Sequence, residues 1–312
     1  SNFEGTINIG KKNRQNKKSY DPEFLLGNAN GMPKAVVNVN ANARLQNQGK
    51  SIRVKKFGGT GALVGTGTWI VDCDENFTLT TEVGITSERT DDYGNTIAVS
   101  ASPLTKRGTG KMTMTEGKMN GVLTIENGTV AAYKYKPASL LNGSNNTIVK
   151  GSGRLAGQML LNNLSVQSGG EVIPCASAVI ETSPGTITCN NTITVNDGAV
   201  VNFLVNASKN STLTTKNLTI NGTIKVTFTA SRELNVGDEL KLWTVSGTFS
   251  GTPKFELPAA YTWDTSRISE GIISVTAISP GIRSSFIDAD SKNVYDLQGR
   301  KLAGRPTQKG VY

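Results

Sequence analysis

The sequence predicts an all-β protein assembled as a solenoid of stacked coils, and three observations carry that expectation. Apolar and polar residues alternate with a period of two through most of the chain. Turn dipeptides recur at about the contour of one coil. No segment combines a helical period with caps. A sandwich or barrel would also show short strands with turns, but its hairpins ask for antiparallel partners. Here the units resemble one another in succession, down to a recurring Asn-x-Thr-Ile/Leu/Val, so each is suited to cover the next.

The elements follow in chain order. "TINI" from Thr6 already alternates, and "PEFLLGNANG" from Pro22 is the best helix candidate, though short. Strand runs then continue: "AVVNVNANARL" from Ala35, "GTGTWIVD" from Gly65, "GKMTMTEG" from Gly110 and "GVLTIENG" from Gly121. After them come "NLSVQSGGEVIP" from Asn163, "GTITCNNTITVNDGAVVNFLV" from Gly185, "NLTINGTIKVTFTA" from Asn217 and "ELKLWTVSG" from Glu239. In each, Ile, Val and Leu share one side and Thr, Ser, Asn or Lys the other. Asn127-Gly128, Gly169-Gly170, Asp197-Gly198 and Asn221-Gly222 divide the middle into strand–turn–strand units. Asn residues at successive corners are placed to form side-chain amide ladders. The expected organisation is a basic β segment over 1–57, either the first coils or the remnant of a longer protein, the solenoid over 58–280 and a C-terminal segment over 281–312.

Composition agrees. Charged residues are 18% and aromatics 6%, while Gly, Asn, Thr, Val and Ile abound; that mixture suits pleated surfaces with many turns. The glycines of "KRGTGKMTMTEGKMNGVLTIENGTVAAY", Lys106 to Tyr133, are read as corners. "GGTGALVGTG" at Gly58 superficially resembles a phosphate loop, but it lacks the Lys-Ser/Thr pair and the helix that would hold the anion.

There is no histidine, which removes His-based triads, His-ligated metals and the usual general base near neutral pH. Cys73, Cys175 and Cys189 lack zinc-site spacing; Cys175 and Cys189 could pair, and buried free thiols are the simpler reading. The net charge of +9 gathers near the N-terminus, in "GKKNRQNKKSY" and "GKSIRVKKFGG". The aromatic interleaving of a single-strand nucleic-acid platform is missing, so nucleic acid is not an expected partner; a solvated face or an anionic glycan contact is. No stretch is long and apolar enough to span a membrane, and "SNFEGTINIG" is not a signal peptide, so a mature protein or a piece of a longer one is expected.

"LTKRGTGKMTMTEGKMNGVLTIENGTVAAY" and "GSGRLAGQMLLNNLSVQSGGEVIPCASAVIETSPGTITCNNTITVNDGAVVNFLV" resemble the autotransporter-associated β-strand repeat family. The resemblance lies in a Lys-x-Gly-x-Gly start, an alternating strand, a glycine and a second strand closing on Asn-Gly. It extends from about Gly58 to Val275 and implies a right-handed parallel β-helix. "NVYDLQGRKLAGRPTQKGVY" from Asn293 resembles the C-terminal tail of Bacteroidetes secreted and surface proteins, which implies outer-membrane export machinery as a partner. Unlike that pattern, it stops at Tyr312. From its residues alone, "VYDLQGRKLAG" reads as a β hairpin with Gly at its turn. Together the two resemblances imply a secreted or outer-surface protein of a Gram-negative bacterium.

A catalytic role on such a scaffold needs paired carboxylates, or acidic calcium ligands beside a Lys or Arg base. The densest acidic groups are "VDCDEN", with Asp72, Asp74 and Glu75, and "SERTDDYGN", with Glu88, Asp91 and Asp92. Asp72 and Asp74 share a side if the strand continues through them. Either group is also what a solvated turn looks like. A Ca²⁺ site is the only cofactor these residues suggest. Trp69, Tyr133 and Tyr135 are candidate sugar-stacking residues, with core or cap packing the competing reading for Trp69, Trp243 and Trp263. The expected function is a non-catalytic, exported scaffold or adhesion module contacting glycans; the alternative is a polysaccharide lyase or glycoside hydrolase, or its accessory domain. A self-associating fibre would be signalled by an uncapped apolar end coil.

Overall fold

The structure is a computed structural model that describes residues 3–10, 23–25, 32–41, 43–85, 88–90, 94, 96–114, 119–132, 146–176, 181–230, 232–279, 294–295 and 301–302. Among these residues the protein is all-β, with no α-helix and one 3₁₀ turn at Ile268–Glu270.

Most strands pair in parallel, and the pairings together with the order of strands along the chain sort them into three rows, or ladders. One ladder stacks Ile52–Val54, Trp69–Asp72, Leu104–Arg107 and the first parts of Leu123–Ala132 and Asn146–Gly157. It continues through the second parts of Met159–Val166, Thr186–Val195 and Thr212–Ile220 to Phe249–Ser250. A second ladder begins with Thr6–Ile9, Val36–Val39 and Lys56–Gly58. On the same side follow Phe77–Leu79, Lys111–Met114, the later parts of Leu123–Ala132 and Asn146–Gly157, Glu171–Pro174, Val200–Val205, Thr223–Phe228 and Lys254–Glu256. The third stacks Glu23–Leu25, Arg44–Gln46, Ala62–Val64 and Glu82–Val83, and further along the first parts of Met159–Val166, Thr186–Val195 and Thr212–Ile220 with Trp243–Val245.

The chain visits the three ladders in one repeating order. Ile52–Val54, Lys56–Gly58 and Ala62–Val64 make one circuit, and Trp69–Asp72, Phe77–Leu79 and Glu82–Val83 the next. Long strands serve two ladders by bending where the register shifts, as Leu123–Ala132 does between Ile125 and Asn127.

Side-chain alternation explains why the stack holds. Val54, Val71, Ile125, Val149, Val166, Val195 and Ile220 occupy one inward column, and all are buried. Each such aliphatic contributes up to about 1.5–3 kcal/mol when removed from water. Outward columns carry Thr and Asn. Amide ladders form where Asn38 donates to Asn8 (2.9 Å), Asn163 to Asn146 (2.9 Å) and Asn191 to Asn162 (2.6 Å).

Two excursions lie over the outside. Arg89–Thr90 and Thr96–Ile97 pair as an antiparallel hairpin, and Ile97 with Ile85 buries the outward Ala62 and Val64. Ala156, Ile173, Cys175 and Leu204 form a second outer apolar cluster. At the far end Glu239–Lys241, Ile272–Ile278 and Tyr261–Asp264 form an antiparallel sheet.

Several expectations meet the structure directly. The helix candidate at Pro22 is corrected: Glu23–Leu25 is a strand in register with Arg44–Gln46, because a neighbouring coil supplies its backbone partners. Parallel pairing already begins at Thr6–Ile9, and Lys56–Gly58 runs across the boundary expected at residue 57. "GGTGALVGTG" holds the short strand Ala62–Val64 with a corner on either side, and a strand, not a helix, follows it. Cys73, Cys175 and Cys189 form no disulfide, and all three are buried. In the C-terminal segment Val294–Tyr295 pairs antiparallel with Lys301–Leu302, the expected hairpin. Among the described residues no helix is long and apolar enough to cross a membrane.

Candidate functional site

Strand Trp69–Asp72 sets the geometry of the acidic run. Its alternation sends Trp69 and Val71 inward and leaves Ile70 and Asp72 outward. Asp72 there forms an ion pair with Arg53 of the preceding coil. The chain then turns a corner. Asp74 accepts hydrogen bonds from the Thr109 amide (2.7 Å) and the Thr109 hydroxyl (3.0 Å), bracing the corresponding corner of the next coil. Glu75 faces back to Lys55 (2.6 Å) and Lys56 (3.6 Å). Asp72, Asp74 and Glu75 line one open cleft of about 370 Å³ with Glu4, Pro33, Lys34, Val36 and Lys55, and Lys34 pairs with Glu4 across it.

The electrostatics of this cleft are those of satisfied pairs. Hydrogen bonds from Thr109 hold the Asp74 carboxyl below the usual carboxylate range. Lys55 does the same to Glu75, and Lys34 to Glu4. The Lys55 ammonium is correspondingly pushed up by Glu75. A glycosidase acid must keep its proton near neutral pH, which needs a raised carboxyl pKa. The shifts here run the other way.

Beneath the cleft lies a group the acidic-cluster reading missed. Lys106 is fully buried, in the inward column between Val71 and Ile125. Its ammonium donates to the carbonyl oxygens of Arg107, Gly108 (2.7 Å) and Cys73 (3.4 Å). Burial pushes its pKa down, opposed by Cys73, Asp72 and Asp74. A lysine lowered in this way can act as a base where substrate reaches it. Lys106 is instead shut inside the coil, where it braces the corner from within. The signal was present in "LTKRG", where strict alternation puts Lys106 in phase with Leu104.

No family model matches the chain, and no curated protein matches it.

The other candidates separate. Trp69 is corrected as a sugar-stacking residue: its side chain is 0% exposed and meets Phe57 edge-on at 5.6 Å, so its ring offers no face to a ligand. Trp243 is equally buried, stacked on Phe249 at 5.3 Å. Trp263 is half-buried against Tyr261 (5.7 Å), which in turn stacks on Phe228 (5.9 Å) at the end of the ladders. Glu88 is exposed at the foot of the outer hairpin and is not among the residues that line the cleft. Asp91, Asp92, Tyr133 and Tyr135 lie outside the described residues. Among the described residues no group of three or more His, Cys, Asp or Glu comes together as a set of metal ligands.

The ion pairs extend beyond the cleft. Glu126 meets Arg107 at 2.6 Å and Lys150 at 3.2 Å, and Glu171 meets Arg154 at 2.8 Å. Glu181, from the excursion after Cys175, reaches both Lys111 and Arg154 at 3.5 Å. In "GKSIRVKKFGG", Arg53, Lys55 and Lys56 all face acids. The other basic run, at 10–20, lies outside the described residues except for Gly10.

Proposed function

We propose that the three ladders close into a right-handed parallel β-helix, and that the protein works as an exported scaffold or adhesion module without catalytic activity of its own. The repeated order of ladders supports closure, and parallel strand–crossover–strand connections are right-handed in nearly all sheets. The resemblance to autotransporter-associated repeats implies the same fold, and the tail-like segment from Asn293 implies export to the outer surface of a Gram-negative cell.

One observation carries the functional reading. In the cleft where the sequence gathers its acids, the carboxylates are engaged by neighbouring coils as braces: Asp72 by Arg53, Asp74 by Thr109, Glu75 by Lys55. Side chains spent on joining coils make a stiff rod with outward rows of Thr, Asn and paired charges. Hydroxyl and amide rows at the spacing of a β ladder suit contact with glycans, the ligand class assigned to this surface.

A lyase or hydrolase is the second reading, favoured by the meeting of Asp72, Asp74 and Lys55 in one cleft. Incubating the protein with a panel of acidic and neutral polysaccharides separates the two. The scaffold reading expects retention on at least one polysaccharide with no change in its chain length. New reducing ends or unsaturated products overturn the non-catalytic assignment, and absence of binding to every member of the panel overturns the glycan contact.

A further inference from the structure

The geometry points to Asn127-Gly128 as a site of spontaneous covalent modification, at which the backbone nitrogen of Gly128 attacks the Asn127 side chain and converts it to aspartate or isoaspartate. This goes beyond the scaffold reading and does not depend on it.

The sequence holds five Asn-Gly pairs, beginning at Asn30, Asn120, Asn127, Asn142 and Asn221; those at Asn120, Asn127 and Asn221 lie in described residues. Asn side chains are among the thermolabile groups of proteins, and a following glycine leaves the attacking nitrogen unshielded. The folded surroundings of the three pairs differ. At Asn127 the Gly128 amide donates to the side-chain oxygen Oδ1 at 2.7 Å, which holds that nitrogen against the same side-chain carbonyl whose carbon, Cγ, it would attack. The same oxygen accepts a hydrogen bond from the Ser152 hydroxyl at 3.0 Å. As attack proceeds, Oδ1 takes up negative charge, and a donor already aimed at it favours that state. Asn127 and Gly128 are only partly buried, so water has access.

Neither of the other two pairs is poised in this way. The Gly222 nitrogen donates to the Val195 carbonyl at 3.2 Å, and the Asn221 oxygen accepts from the Thr252 amide at 3.3 Å. Asn120 is buried, and its Nδ2 donates to the carbonyls of Ile85 (3.0 Å) and Ser100 (3.1 Å), which holds the leaving group in place.

The step balances with water as the sole co-reactant. The Gly128 nitrogen gives up its proton and forms a bond to Cγ, closing a five-membered ring. The Cγ–Nδ2 bond breaks, and Nδ2 leaves as ammonia with the proton it gains. Water then opens the ring at either carbonyl. Opening at the backbone carbonyl leaves isoaspartate, which carries an extra carbon in the main chain at a corner paired to Ser152 and Gly153 of the next coil.

The test is native incubation of the purified protein in mildly alkaline buffer, followed by proteolysis and mass spectrometry of the peptides around Asn120, Asn127 and Asn221. Asn127 should convert at least about tenfold faster than either of the others, the margin expected for a near-attack arrangement against two restrained ones. Ser152→Ala, a change at an exposed position, should slow Asn127 by about threefold or more through loss of the oxyanion donor. In concentrated urea the three rates should converge. Equal rates at Asn127 and Asn221 in the native protein overturn the proposal, as does a difference that persists in urea, since it would then belong to local sequence. An unchanged rate in Ser152→Ala removes Ser152 from the mechanism and with it the poised site.

Discussion

Lys106 is the residue whose environment says most about how this chain is built. A buried ammonium is costly unless every proton finds an acceptor, and here three backbone carbonyls at two stacked corners supply them. Lys106→Ala removes both the stem and the donors, and should cost about 2–4 kcal/mol in denaturant unfolding. Lys106→Met keeps most of the stem and should cost less than half as much; equal losses would mean that the hydrogen bonds, and not the packing, dominate. The carboxylates above it govern the acid limb. Asp74 and Glu75 have native pKa values below their unfolded ones. Their contribution is therefore complete above the ordinary carboxylate range and is lost as pH falls through the lowered native values. Asp74→Asn should flatten the fall in melting temperature on acidification while leaving its dependence near neutral pH unchanged. An acid limb as steep as wild type would show that the Thr109 contacts add nothing to stability.

At the scale of the element, corners decide what the sequence can be. Gly128 has φ +67°, and a Cβ there would stand 2.4 Å from the Gly108 carbonyl oxygen and 2.6 Å from that of Gly110. Gly94, on the outer hairpin, has φ +82° with nothing within 4 Å of such a Cβ. Gly94→Ala should cost about 1 kcal/mol, the conformational penalty alone, whereas Gly128→Ala should cost about 3 kcal/mol or more because backbone must also move. Similar losses in thermal unfolding would contradict the close stacking of corners. This also explains what was legible beforehand. Alternation in "GTGTWIVD" and "NLTINGTIKV" fixes which side chains point inward, so strands and core could be read directly. The contacts of Asp72 and Asp74 could not, since Arg53 and Thr109 are 19 and 35 residues away and meet them only through coil register. Trp69, in phase with Val71 in "GTGTWIVD", was already directed inward by the alternation; what only coil register supplied is the Phe57 ring that covers it. Glu23–Leu25 escaped for the same reason: its partner strand is remote and its own pattern too short.

At the scale of the whole molecule the inner columns of the described residues form one apolar core that reaches from Ile9 to Val275, with Lys106 as a buried charge within it. Stacking in which each strand layer covers the next makes every layer depend on its neighbours, so damage at one corner should spread along the stack before it unfolds the far end. The same regularity offers a ruler. Ile70, Thr105, Thr124, Ile148, Ser165, Thr194, Thr219 and Ser250 follow one another in register on the outward side of a single ladder. Spin labels can be placed at Ile70 and, in turn, at Ser165, Thr194, Thr219 or Ser250, and their separations measured by pulsed electron paramagnetic resonance. Parallel stacking predicts separations of about 19, 24, 29 and 34 Å, rising by one strand spacing of about 4.8 Å at each step. Separations that level off or alternate along the series would mean that the segments fold back on one another, and would contradict the one-directional stack.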